Sequence, residues 1–264
     1  MNESPVQELR AKLRGELITP TDLTYETARK VYNAMIDRRA ALIVRCRDAA
    51  VMAGVGFTRE HGLLLAVRGG AHNGPGLGTC DGGLVLDLAP MRDVRVDPTS
   101  RTVRVSGGSV WGDVDHATHP FGLAVPSGFI STTGVGGLTL GGGVGYLTRR
   151  YGLTIDNLLE VDLVLADGRL VTPSPREHAD LFWAVRGGGG NFGVVTSFSV
   201  PRQSSRHRLR RADLLAAPDG KGGPAFLARL HPERSGGPER LVRLRHRAPG
   251  PRCSLKSTTS RRCA

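Results

Sequence analysis

Residues 63–76 read LLLAVRGGAHNGPG, and how this stretch is understood decides the fold. An apolar run ends abruptly in Arg68-Gly69-Gly70-Ala71-His72-Asn73-Gly74. A short apolar run bounded by glycine reads as a buried strand. Glycines have no Cβ, so the backbone after the strand can turn sharply and aim successive N–H groups at one anion. Two readings stay open on these residues. One is a polar turn between strands; the other is an anion-binding loop that carries a reactive imidazole. Arg68 serves either, by neutralising a phosphate or by locking the loop.

Upstream, residues 24–37 (TYETARKVYNAMID) place Ala28, Val31, Tyr32 and Met35 on one helical face. Residues 40–46 read as a buried strand, and 47–62 as a helix stopped by Gly62. Strand, helix, strand and glycine loop together make the βαβ pattern of an α/β layer. Downstream the style changes. Residues 83–88, 94–97 and 102–107 are short strands with turn signals between them, and 110–122 is a short helix ending near Pro120. Residues 126–152 hold too much glycine for ordinary core packing. Residues 158–172 form a hairpin turning at Asp167-Gly168. Ser174-Pro175-Arg176-Glu177 matches a capping box that opens a helix through Arg186, and 187–200 is a glycine turn followed by a strand. Trp111 and Trp183 read as core anchors.

The chain has 264 residues and a net charge of +12, which suggests nucleic acid until it is divided. Residues 1–200 hold 20 Lys and Arg against 20 Asp and Glu; residues 201–264 hold 16 against 4 and carry the whole excess. The tail has one valine, one aromatic residue, seven prolines and six glycines, too little apolar surface to offset its ordering entropy. A nucleic-acid partner is therefore not expected. Four cysteines without a CxxC pair indicate neither zinc nor a disulfide framework. No apolar run is long enough to span a membrane, and the start has no apolar leader, so a cytoplasmic location is expected.

Three glycine loops, at 69–78, 134–145 and 187–190, favour a large phosphorylated ligand. The single GxGxxG, at 188–193, follows a helix and enters a strand, the reverse of the dinucleotide fingerprint. No GxxxxGK[ST] and no GxSxG occur. His116 and His119 lack partners at ligand spacing, so no metal site is expected; Asp113 and Asp115 read as a solvated helix start, and Arg149-Arg150 as a surface pair.

The segments VRGGAHN (67–73), DGGLVLDL (81–88), the long run from VPSGFISTTGVGG to ADGRLV (125–171) and DLFWAVRGGGGNFGVVTSF (180–198) resemble, in that order, the p-cresol methylhydroxylase/vanillyl-alcohol oxidase flavoproteins, above all the berberine-bridge-enzyme-like oxidoreductases. The resemblance runs from about residue 15 to Val200. It implies an α+β fold: an FAD-binding domain of two α/β subdomains over residues 15–200 (its core about 38–200), preceded by an extension, 1–14, and followed by the basic tail, with the substrate domain missing. It implies that Arg68, Gly69, Gly70, Ala71, His72, Asn73 and Gly74 hold the FAD pyrophosphate, with His72 bonded to the flavin 8α-methyl. Thr132, Thr133, Gly134, Gly136 and Gly137 would line the pyrophosphate and ribityl chain. Gly141, Gly142, Gly143 and Gly145 would let the backbone pass close to the flavin, and Gly193, Val194 and Val195 would add backbone contacts. Ile130 stands where some members carry a second, cysteinyl link, so one covalent link is expected. Ala71 replaces a usual glycine, which is tolerable unless that position needs positive φ. The implied activity is oxidation of an alcohol, amine or sugar-like small molecule, with dioxygen as acceptor. No catalytic base is assigned, because its usual location lies past Val200. The abrupt loss of pattern there suggests a truncated or frame-shifted gene. The alternatives are an incomplete flavin domain without activity and, last, a basic-tailed binding protein.

Overall fold

The computed structural model describes residues 3–47, 50–201 and 203–204. The expectation for the tail beyond Ser204 lies outside the described residues. In chain order the elements are α1 (Glu3–Lys12), β1 (Gly15–Ile18), α2 (Tyr25–Ala28), β2 (Leu42–Cys46), α3 (Ala50–Glu60), β3 (Leu65–Arg68), β4 (Leu84–Asp87), β5 (Val94–Asp97), β6 (Thr102–Ser106), α4 (Trp111–Thr118), β7 (Leu123–Ala124), α5 (Val135–Leu140), α6 (Thr148–Tyr151), β8 (Glu160–Val164), β9 (Leu170–Val171), α7 (Ala179–Val185), β10 (Val194–Pro201) and β11 (Gln203–Ser204).

The strands form a first sheet ordered β1-β2-β4-β3, a second ordered β5-β6-β10-β8-β9, and a small β7–β11 pair. β2 and β3 both run parallel to β4, which lies between them. The strand–helix–strand expectation therefore holds for the elements, but the two strands are not neighbours. β4 is apolar over Leu84-Val85-Leu86 because both its faces are covered. Leu84 and Leu86 join Leu42, Val44, Val51 and Val55 on one side. Val85 joins Ile18, Tyr25, Ile43 and Ala66 on the other. Leu9 of α1 is buried in the first of these clusters. The second sheet is antiparallel throughout. It buries Val103, Val105, Val161, Leu163 and Phe198 against Trp111, Val114, Val135, Phe182 and Val185 of the helices. Alternation in β6, with Val103 and Val105 inward and Arg104 outward, follows the strand period of two. The α+β reading thus stands. Among the described residues no helix is long and apolar enough to cross a membrane.

Three expectations need correction. The helix over 24–37 shrinks to Tyr25–Ala28; Tyr32 and Met35 are exposed, not part of a buried face. The chain is drawn away by tertiary bonds: Tyr32 N–H donates to the Ala71 carbonyl, and Asn33 Nδ2 to the Gly74 carbonyl. The Asn33 side chain also accepts from Met35 N–H, a local turn that competes with helix. Second, the capping box forms only in half and starts no helix: Ser174 N–H donates to the Glu177 backbone carbonyl, not to its carboxylate. Ser174 Oγ accepts from Glu177 N–H at 3.1 Å, but His178 follows at φ +49° and α7 begins at Ala179. Third, Trp183 is 74% exposed. The 100° step of the helix turns Phe182 and Val185 inward and leaves Trp183 outside.

Candidate cofactor site

The loop after β3 is built on a buried ion pair. Arg68 Nη2 donates to Asp87 Oδ2 at 2.8 Å, and both side chains are more than nine-tenths buried. Of the two roles open to Arg68, its guanidinium fills the locking one. It ties the ends of β3 and β4, and its Nη1 reaches the Lys30 carbonyl at 3.4 Å. Beyond it, Gly69 faces the Gly107 carbonyl at the end of β6, and Gly70 lies backbone to backbone on Gly134. A Cβ on Gly70 would overlap the amide nitrogen and Cα of Gly134, the latter at 2.6 Å, and a Cβ on Gly134 would overlap Gly70 in return. The first two glycine loops are therefore one structure, and it sits where the two sheets meet.

Ala71 follows with φ +59°. The position does need positive φ, so the condition under which the missing glycine was tolerable is not met. His72 comes next. Its ring stacks on Tyr32 at 4.1 Å between centroids and 16° between planes, and its Nε2 lies 3.4 Å from Thr132 Oγ1. Asn73 Oδ1 accepts from Leu77 N–H and closes the loop.

The second loop is held from α4. Trp111 and Gly112 N–H groups donate to the Thr133 and Ser131 carbonyls, and Val135 N–H donates to the Ser109 carbonyl. Asp113, in the first turn of α4, accepts from Val110 N–H and from Arg92. Burial pushes its carboxyl up, but these two donors outweigh it and hold the group below its usual range. Gly136 fits close to the Gly107 carbonyl and the Phe198 ring, which lets α5 press on the second sheet; Gly137 has open space beside it. This helix was not expected from so glycine-rich a stretch.

The remaining residues fall at different distances from the seam. Gly193 abuts the Val164 carbonyl, while Val194 and Val195 are buried, so only their backbones are available to a ligand. Thr196 carbonyl receives Gly107 N–H, which joins this segment to the other two. Gly143 and Gly145 abut Thr154 and Ser127, and Gly142 has φ +114°; their glycines are explained by packing within residues 127–154. Ile130 is exposed, beside Phe129, whose ring meets Tyr146 edge-on at 4.9 Å. Ser109 Oγ, Trp111 Nε1 and Thr139 Oγ1, all buried around this loop, have no protein partner. Sequence reasoning missed Tyr32, Asn33 and Gly107 as parts of the site. The Gly107-Gly108 pair closing an alternating strand was the available signal; Tyr32 had none.

A cavity of about 800 Å³ opens elsewhere, on the polar face of the second sheet, between Arg47, Met91, Arg92, Arg95, Arg104 and Asp162. Three of its arginines are matched by Asp113, Asp93 and Asp162, so it offers little charge to a phosphate. The glycine seam, not this cavity, has the form of a cofactor cradle.

The structure thus brings two glycine loops together at the end of a parallel strand, docked on the second sheet, with His72 at their rim. The chain belongs to the family described as FAD binding domain, whose model matches residues 40–174. It is 41% identical over 189 residues to (R)-6-hydroxynicotine oxidase of Paenarthrobacter nicotinovorans, covering 71% of this chain and 41% of that one. The wild-type BBE-like 1 structure from Physcomitrella patens superposes with a TM-score of 0.72 at 32% identity, covering 75% of this chain and 44% of that one. Glucooligosaccharide oxidase from Acremonium strictum, described with a 6-S-cysteinyl, 8α-N1-histidyl FAD, gives 0.71 at 32%, covering 75% and 42%. The fold is thus the p-cresol methylhydroxylase type found in berberine-bridge-enzyme-like proteins, and the relatives are FAD-linked oxidoreductases. The chain spans about two fifths of the length of the relatives it matches.

Proposed function

We propose that residues 15–200 are the FAD-binding domain of an oxidase-type oxidoreductase, with 1–14 as an extension, and that FAD is joined to the chain once, through His72. The observation that carries this reading is the Gly70–Gly134 contact, which sets His72 and Thr132 at the rim of one glycine cradle. The cradle suits a dinucleotide. Backbone approaches that any Cβ would block leave N–H groups, not side chains, to meet the pyrophosphate. The amides of residues 69–74 and of Gly134, Gly136 and Gly137 would do this, with Thr132, Thr133 and the 193–195 backbone completing the wall. Arg68 serves by fixing the loop. With Ile130 at the place of the cysteine, a second link has no nucleophile.

When bound, FAD supplies a two-electron acceptor that takes hydride at N5 and is reoxidised by dioxygen. The protein's part is to orient it and to exclude side reactions. Relatives named for nicotine and oligosaccharide substrates support a small amine, alcohol or sugar-like molecule as the electron donor.

Intact-protein mass under denaturing conditions, with in-gel flavin fluorescence, tests the reading. The expected result is one added FAD, absent in His72→Ala. FAD released on denaturation would keep the binding domain and remove the histidyl bond. Failure of the chain to take up FAD in any form would overturn the reading.

A further inference from the structure

The stack of Tyr32 on His72 has no part in the reading above. Tyr32 lies outside every motif that carries the resemblance, and the residue is 71% exposed while the two rings lie almost parallel at 4.1 Å. An exposed tyrosine ring can keep one stacking partner only where the backbone that carries it keeps its place. Here the backbone is held. Tyr32 N–H donates to the carbonyl of Ala71, the residue before His72, at 3.1 Å. Lys30 carbonyl accepts from buried Arg68, and Asn33 Nδ2 donates to the Gly74 carbonyl at 2.9 Å. Residues 30–33 thus clasp the histidine loop on three bonds and lay one aromatic ring flat on the imidazole. Thr132 Oγ1 meets the imidazole edge at Nε2. One face of the imidazole is thus covered and one edge engaged.

We propose that Tyr32 is a positioning residue for the covalent attachment of FAD to His72, an inference that rests on the histidyl link proposed above. In the net reaction the imidazole exchanges its N–H bond for an N–C bond to the flavin 8α carbon. That carbon gives up one C–H bond, and the two electrons and two protons leave with dioxygen as hydrogen peroxide. Bond formation needs the imidazole nitrogen in line with that carbon, and orientation of a reacting pair is worth large factors in rate. The stack supplies orientation through ring contact, so its effect falls on the rate of attachment and not on affinity for FAD, and any flat ring at position 32 serves.

The test uses the full chain, expressed without flavin and then given FAD in air. Noncovalent affinity is read from flavin fluorescence, and the attachment rate from the mass of the denatured chain over time. Tyr32→Ala is expected to slow attachment at least tenfold with FAD affinity within about twofold of wild type, and Tyr32→Phe and Tyr32→Trp to restore the rate. Attachment by Tyr32→Ala at the wild-type rate overturns the inference while leaving the histidyl link intact. Tyr32→Phe as slow as Tyr32→Ala overturns it in favour of the hydroxyl. Wild type that binds FAD without bonding it removes the histidyl link and the inference together. A flavin-free control examines the stack itself: ring-current shifts of the His72 ring protons should vanish in Tyr32→Ala and persist in Tyr32→Phe, and their absence in wild type overturns the proposal without reference to FAD.

Discussion

Ala71 is the position where this sequence pays most visibly for its loop. A Cβ in the left-handed region costs about 1–2 kcal/mol, and Ala71 sits at φ +59°. Glycine removes that cost but gains unfolded-state freedom worth about 0.4–1 kcal/mol. Ala71→Gly should therefore stabilise the chain by about 0.5–1 kcal/mol, seen as a higher denaturant midpoint at unchanged m-value. One residue earlier the sign reverses. Gly70→Ala drives a methyl into the Gly134 backbone, which has no side chain to swing aside. It should cost about 1–3 kcal/mol and lower FAD uptake. Wild-type uptake by Gly70→Ala would mean that the seam can part without harm.

Among the elements, the Arg68–Asp87 pair clamps β3 to β4 below the loop. Arg68→Met leaves a buried carboxylate without its closest partner and should cost about 3–5 kcal/mol; the double variant with Asp87→Leu should recover most of it, measured by chemical denaturation. The α4 end of the second loop carries a pH dependence. The folded pKa of Asp113 lies below the ordinary 3.8, so the unfolded chain binds the proton more readily. The stability it contributes is present above the unfolded value and is lost as pH falls through the folded one. Asp113→Asn should flatten the loss of stability below about pH 5; an unchanged acid limb of the stability curve would count against the cap. Legibility in the sequence divides along the same lines. β4 was readable because burial on both faces writes an unbroken apolar run, and β6 because one face alternates. The span 24–37 was misread because its spacing is helical while its hydrogen bonds go to residues 71 and 74. α5 was hidden because Gly136 and Gly137 depress helix propensity, and the contact with Phe198 that favours the helix is tertiary. The glycine loop after β3 was legible as a turn that ends a strand. The stack of Tyr32 on His72 was not, since nothing local links residues 40 positions apart.

At the scale of the molecule, buried thiols report whether the layers are closed. Cys46 is fully buried, and burial pushes its thiol up to about 12; Cys80 is buried on the other side of the first sheet, and its thiol is raised by the same cause. Because the thiolate is the reacting form, neither should be alkylated by iodoacetamide at pH 8 in the folded chain. Both should be modified on unfolding, as read by peptide mass. Modification of Cys46 alone in native buffer would reveal opening of the α3 side of the sheet.

The meeting of Gly70 with Gly134 also has a consequence in time. The two glycines are 64 residues apart in the chain, and at about 5–20 residues per second a ribosome delivers the second roughly 3–13 s after the first. The second sheet cannot close until β10, ending at Pro201, arrives to pair with both β6 and β8. During synthesis the histidine loop therefore waits half-made in front of whatever flavin the cell holds. If FAD binds at this seam as proposed, it would enter a nearly finished domain, and its supply should govern how much chain survives after synthesis rather than how its first sheet folds.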